Sequence, residues 1–213
     1  DMFASLHGRK GQVIQLDCRN LHHEYFPLEL GDYTLLLLNT EVKHSLASSA
    51  YNERRQQCEA GVALVQQRYP EVKALRDVTM AMLQECVPAD SVVFKRCKYV
   101  IEEDERLLEG CEDLAKGDVH AFGKKMFATH YGLRDDYEVS CAELDALVAA
   151  AEMHPQVIGA RVMGGGFGGC TLNMLHKNAV ADFIAVAGKA YHDQFGIWPT
   201  PIAVSIEDGA HLL

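Results

Sequence analysis

Residues 161–175 read RVMGGGFGGCTLNML and set five glycines around one phenylalanine. Each glycine loses more backbone entropy on folding than alanine would, so a dense cluster needs a compensating reason. One reason is chemical: successive N–H groups without Cβ atoms can wrap an anion such as phosphate. The other is structural: the chain must turn through positive φ or let another element pass very close. Two common phosphate loops are excluded. A Walker A loop needs Gly-Lys-Ser/Thr, but Gly169 is followed by Cys170 and Thr171. A dinucleotide loop runs from a strand directly into a helix. Here Cys170, Leu172 and Met174 alternate with Thr171 and Asn173, which predicts a strand. The loop therefore joins two strands, as a hairpin or clamp does.

Arg134, Asp135 and Asp136 form a second polar cluster, with the look of an acid–base set. They precede a predicted helix, and the two aspartates read as structural residues that supply caps. The seven cysteines are odd in number, widely spaced and without a C-x-x-C pair, which reads as reduced thiols in a cytoplasmic protein. His22 and His23 are adjacent and point to opposite faces of a strand, so no metal site is expected.

These residues must be held by the elements around them. Residues 12–18 and the apolar run 33–39, YTLLLLN, read as strands, the second covered on both faces. Helical text covers 48–69, stopping before Pro70. In a helix over 90–116, Val93, Cys97, Val100, Leu107, Cys111 and Leu114 form the apolar stripe, and Glu102 to Glu105 the solvated side. A helix over 118–131 is capped by Asp118. Ser140 and Glu143 make an S-x-x-E capping box for the next helix. Val180, Phe183, Ile184, Ala187 and Tyr191 share one helical face, and IAVSI at 202–206 reads as the final strand. The order predicts an α+β fold with an antiparallel or mixed sheet backed by helices on one side.

With 213 residues, 48% hydrophobic and 23% charged, the chain can bury a sizeable core. Its formal net charge of −10 opposes nonspecific nucleic-acid binding. No apolar run has the length of a membrane span, and no signal peptide is visible.

The segment GARVMGGGFGGCTLNML resembles the third motif of the GHMP small-molecule kinases, in the form found in galactokinases. Residues 39–59, NTEVKHSLASSAYNERRQQCE, are similar to that family's V-[RK]-H-S-L-A-S-S-x-Y-x-x-R-R-x-Q-C segment. Residues 132–148, GLRDDYEVSCAELDALV, resemble its S-L-R-D-D-Y-E-V-S-C-P-E-L-D segment, and residues 1–11 its M-D-Q-F-x-S-L-x-G-x-x-G. The resemblance runs nearly end to end, in order. It implies a GHMP-kinase C-terminal domain over 1–213, with residues 1–40 contributing strands at a junction with an N-terminal domain. The implied activity is ATP-dependent phosphorylation of galactose at its anomeric hydroxyl, with Mg2+ and ATP in the intact enzyme.

The family's galactose signature and its P-G-x-x-x-G-L-S-S-S-A phosphate loop do not occur in this sequence. The resemblance thus implies the C-terminal half of the enzyme, entered at its catalytic aspartate, with no metal ligand in this chain. Alone it is expected to be inactive, to bind no cofactor and to self-associate through surface that the N-terminal half would cover.

Residue by residue, the resemblance implies that Asp1 is the catalytic base and that Tyr51 contacts the sugar. Lys43, where many relatives have arginine, and Ser45 lie near the nucleotide. Gly164, Gly165, Gly166, Gly168 and Gly169 line the site beside the phosphate loop. Two other functions fit the same motifs: a kinase for a related sugar such as N-acetylgalactosamine or arabinose, and a noncatalytic galactose sensor.

Overall fold

A computed structural model describes residues 2–43 and 47–210, with the side chains of residues 43 and 47–49 outside the description. After a short helix α1 (Met2–His7), strands β1 (Gln12–Asp17) and β2 (His22–Pro27) pair antiparallel, from Gln12 opposite Pro27 to Asp17 opposite His22. The turn between them places Leu21 at φ 61. The Asp17 carboxylate holds it from two sides, accepting from Arg19 Nη2 at 3.0 Å and facing Arg76 Nη1 at 2.8 Å.

Strand β3 (Tyr33–Lys43) leads into a helical run of α2 (Ala47–Gln66), α3 (Met80–Cys86), α4 (Val92–Ala115), α5 (Val119–Asp135) and α6 (Ala142–Met153). Strands β4 (Val157–Val162) and β5 (Gly168–His176), helix α7 (Val180–Phe195) and strand β6 (Thr200–Ala203) follow. The second sheet has the order β4-β5-β3-β6, and its described pairs are all antiparallel. The α+β architecture is the one expected. Among the described residues, no helix is long and apolar enough to cross a membrane.

Two apolar cores follow from the patterning. In the first, Leu36, Leu38, Ala160 and Leu175 from the sheet meet Leu147, Val148 and Ala151 of α6 and Phe183, Ala187 and Tyr191 of α7. Phe183 and Tyr191 are almost wholly buried, and each such side chain contributes about 1.5–3 kcal/mol by leaving water. In the second, Val65 of α2, Leu83 of α3 and Cys97 and Ile101 of α4 pack together with Val72, Val78 and Val87. Gly123 of α5 and Gly159 of β4 let helix and strand touch, since a Cβ on Gly159 would sit 2.6 Å from the Gly123 α-carbon.

The caps are partly as expected. Asp118 Oδ1 accepts from the Ala121 N–H at 2.9 Å as expected, and Ser91, not singled out in the sequence, caps α4 by accepting from the Phe94 N–H at 3.0 Å. The expected box at Ser140 does not form in that way. Helix α6 starts one residue later with Cys141 as its N-cap, and the Ser140 hydroxyl instead donates to Asp145 Oδ1 at 2.5 Å.

Other local expectations also shift. Among the described side chains of β3, Leu36, Leu38 and Thr40 alone are buried, and Leu35 and Leu37 are half-exposed, so the strand is not equally covered on both faces. Leu107 is half-exposed, while Arg96 and Tyr99 join the buried face of α4. Glu103 and Asp104 are only partly solvated, and burial raises the Asp104 carboxyl. Asp135 and Asp136 close α5 rather than cap α6. Asp136 is the C-cap of α5, and Asp135 is held ionised by a two-point pairing with Arg134. The last strand is Thr200–Ala203, ahead of the expected 202–206. The chain beyond it returns to α1, with the Ala210 N–H donating to Ser5 O at 2.7 Å.

Candidate functional site

The glycine loop spans residues 163–169, from the end of β4 into the first two residues of β5, and is fixed at three points. The Met163 N–H donates to Cys170 O at 2.9 Å, closing the hairpin. The Phe167 N–H donates to Val139 O at 2.7 Å, pinning the loop's tip to the α5–α6 connection. The Thr40 hydroxyl, fully buried, donates to Gly169 O at 2.8 Å. Thr40 is held in turn through its own carbonyl, which accepts from Tyr191 Oη at 2.8 Å.

The backbone of the loop explains its composition. Gly164, Gly166, Gly168 and Gly169 lie at φ 82, 83, 126 and 82, and even Phe167 lies at φ 59. Such angles are costly for residues with a Cβ. One side of the loop is open: a Cβ on Gly164, Gly165 or Gly169 would meet nothing within 4 Å. Among the described residues, the amides of Gly164, Gly165 and Gly166 find no backbone acceptor. Consecutive amides without an acceptor among the described residues, beside open space, are suited to an anion. The structural reason for the glycines is thus met, and the open side of the loop leaves room for the chemical one.

Strand β3 reaches the same place through an irregularity. Asn39 pairs with Cys170 and Lys43 with Gly168, so β3 carries two extra residues over this step, and Glu41 there has φ 59. Asn39 stabilises the bend by giving Nδ2–H to Glu41 Oε1 at 2.9 Å and accepting the Glu41 N–H at 3.2 Å. The backbone of Lys43 is thereby brought opposite the loop, while its side chain lies outside the description. Asp1 and Ser45, the expected base and nucleotide neighbour, lie outside the described residues.

Tyr51 stands in the first part of α2 and is 58% exposed. Its phenol lies close enough to Tyr137 to contribute to that residue's raised pKa, whose largest cause is burial. The neighbouring Cys58 thiol is lowered to about 7, first by hydrogen bonding with the Cys97 thiol, then by Tyr137, Arg96 and Arg54 against the opposing effect of burial.

Several residues of this assembly escaped the sequence reading: Thr40, Arg54, Arg96, Glu138 and Val139. Thr40 follows an apolar run without any distinguishing pattern. Arg54 and Arg96 sit in helices rich in charge and have the look of solvated residues, yet they are 9% and 3% exposed. A groove of 860 Å³ between α6 and α7, lined by Ala149, Met153, His154 and Asp182 among others, includes none of the expected site residues. The described residues bring together no group of three or more His, Cys, Asp or Glu able to hold a metal ion.

The family described as GHMP kinases C terminal matches residues 111–193. The chain is 39% identical to a galactokinase of Enterococcus faecalis over 215 residues, covering 100% of this chain and 55% of the relative. It is likewise 39% identical over 210 residues to a galactokinase of Exiguobacterium sibiricum, covering 99% of this chain and 54% of the relative. A solved structure of Lactococcus lactis galactokinase complexed with galactose superposes with a TM-score of 0.92 at 30% identity, over 100% of this chain and 55% of that one. L. major mevalonate kinase, at 18% identity and a TM-score of 0.53 over 94% of this chain and 50% of that one, shares the fold alone. The chain thus spans about half the length of the curated relatives it matches.

Proposed function

We propose that this chain belongs to the GHMP kinases and forms the C-terminal half of a galactokinase, a reading supported by the family match over residues 111–193 and by the similarity of the whole chain to galactokinases. The reaction transfers the γ-phosphoryl group of ATP to the anomeric hydroxyl of galactose. A bond forms between that oxygen and phosphorus, the bond to the β-phosphate oxygen breaks, and ADP leaves. Such transfers rest on alignment and on stabilising the charge of the moving group.

The observation that carries this reading is the open, three-point-anchored glycine loop facing the end of β3, in a chain that superposes over its full length on a galactose-bound relative. The amides of residues 164–166, without an acceptor among the described residues, supply fixed dipoles beside the transferred group, in support of the phosphate loop that the family resemblance implies elsewhere. Asp1, by its place in the motif, accepts the proton of the attacking hydroxyl. Tyr51 meets the sugar with its ring and hydroxyl, and its exposure leaves it free to do so. Lys43 and Ser45 stand near the nucleotide by the same motif. Magnesium would screen the ATP phosphates. The described residues gather no group of three or more His, Cys, Asp or Glu to hold it.

The test is a coupled ADP-release assay on a polypeptide joining this chain to the segment found in its relatives. Galactose, N-acetylgalactosamine and arabinose are offered in turn with Mg-ATP, beside this chain alone. Turnover with galactose above the other sugars, and none by the 213 residues alone, is expected. Preference for another sugar would reassign the substrate. Binding of galactose without turnover would replace the kinase reading with that of a sensor.

A further inference from the structure

The connection between α5 and α6, residues 136–139, presents four consecutive carbonyls to donors from separate parts of the chain. Arg96 Nη1 of α4 donates to Asp136 O. Arg54 of α2 donates from Nε to Tyr137 O at 2.6 Å and from Nη2 to Glu138 O at 3.1 Å. The fourth carbonyl, of Val139, accepts the Phe167 N–H of the glycine loop.

The two guanidiniums are tied together as well. Gln57 Oε1 accepts from Arg54 Nη1 at 3.4 Å and from Arg96 Nε at 3.2 Å. The Glu138 carboxylate accepts from Arg96 Nη2 at 2.7 Å and lies 3.9 Å from Arg54 Nη2. Burying two arginines is costly unless their donors are satisfied, and here three of the six hydrogen bonds go to backbone carbonyls of one turn, two to Gln57 and one to the Glu138 carboxylate. The turn needs this grip, because Glu138 sits at φ 54, a region unfavourable to its side chain.

Tyr51 lies one helical turn before Arg54 on α2, so the two share a face. The phenol that faces the sugar and the loop that faces the phosphoryl group are thus joined by one short path, from α2 through residues 137–139 to Phe167. We propose that Arg54 and Arg96 are positioning residues for the transfer, setting the separation between Tyr51 and the glycine loop by gripping residues 136–138. The inference rests on the kinase reading for its purpose, but its geometry does not.

Hydrogen exchange on this chain tests the geometry. In Arg96→Met the Phe167 amide should exchange about ten-fold faster, as expected when a charge-assisted anchor is lost, while amides 171–175 keep their rates. If Arg96→Met does not fold, Glu138→Gln, at a half-exposed side chain, should give a smaller rise at the same amide. A Phe167 rate that moves only in step with 171–175 would overturn the clamp. In the polypeptide that turns over galactose, Arg96→Met should lower kcat about ten-fold per folded active site, with the KM for galactose little changed and Arg96→Lys partly restoring it. Faster loop exchange with unchanged kcat would overturn the positioning role. Absence of turnover by the unsubstituted enzyme would instead overturn the kinase reading, leaving the exchange result to judge the clamp.

Discussion

Gly166 lies against the Val139 carbonyl so closely that a Cβ built on it would stand 2.0 Å from the oxygen. The neighbouring Phe167 N–H bonds that same oxygen. Contact and hydrogen bond together seat the loop on the α5–α6 connection, and neither survives a shift of the other.

Two alanine substitutions one residue apart should therefore separate packing from chemistry. Gly166→Ala adds a clash to an unfavourable φ of 83 and should cost about 2–4 kcal/mol in denaturant unfolding. Gly165→Ala enters open space at an ordinary φ and should change stability by less than about 0.5 kcal/mol. In the active enzyme Gly165→Ala should still slow turnover, because its methyl group projects where the phosphates are expected. Equal stability losses for both variants would show that the described loop conformation is wrong.

Base and sugar contact should part in kinetics. Asp1→Asn removes the proposed proton acceptor and should lower kcat by roughly two to four powers of ten, with galactose still bound. Tyr51→Phe deletes one hydroxyl and should weaken galactose binding by about 0.5–2 kcal/mol, with a lesser effect on kcat. Calorimetry alongside a galactose series distinguishes them. A kcat for Asp1→Asn within a few-fold of the parent would reduce the aspartate to a positioning residue.

Cys58 should be the thiol that alkylates at the lowest pH. Its pKa is lowered to about 7, whereas burial raises Cys111 and Cys170. Since the thiolate is the nucleophile, its iodoacetamide rate should climb through neutral pH, ahead of those two. Tyr137→Phe, which deletes the hydroxyl 3.9 Å from the sulfur, should move that rise to higher pH. Peptide mass spectrometry over a pH series reads both, and a Cys58 midpoint in the ordinary thiol range would refute the effect.

Glu138 should mark the acid limb of stability. Its carboxyl is lowered from 4.5, first by the Arg96 hydrogen bond and further by Lys95, against a smaller desolvation effect. A carboxyl depressed in the folded state stabilises above its unfolded pKa, and that contribution fades as pH falls through the folded value. The gap in Tm between the parent chain and Glu138→Gln should therefore be full at pH 6 and shrink from about pH 4.5 downward. A gap that stays constant to pH 3 would mean that the carboxylate charge contributes nothing.

Local pattern made much of this molecule legible in its sequence. The run Leu35–Leu38 marks a central strand, and the alternation after Cys170 marks β5. Asp118 announces the start of α5, and the glycine cluster with its flanking segments points to the family. These features depend on neighbours a few residues away: a strand's alternation, a helix's first turn, a backbone that must leave the ordinary φ range.

What escaped the sequence depends on partners far along the chain. Ser140 has the spacing of a capping box, but in the fold its hydroxyl meets Asp145. Arg54 and Arg96 have the look of solvated helix charges until a turn 83 and 40 residues away offers them carbonyls. The sequence by itself determined the fold class, the long helices, most of the strands and the family motif, because burial periodicity and glycine content are written locally, whereas the short elements α1, β2 and α3 carry too little pattern to be read that way. Only the tertiary structure decided which buried charges grip residues 136–138, and hence how the glycine loop is seated. A guanidinium's place is set by whichever backbone acceptors the folded chain leaves unsatisfied.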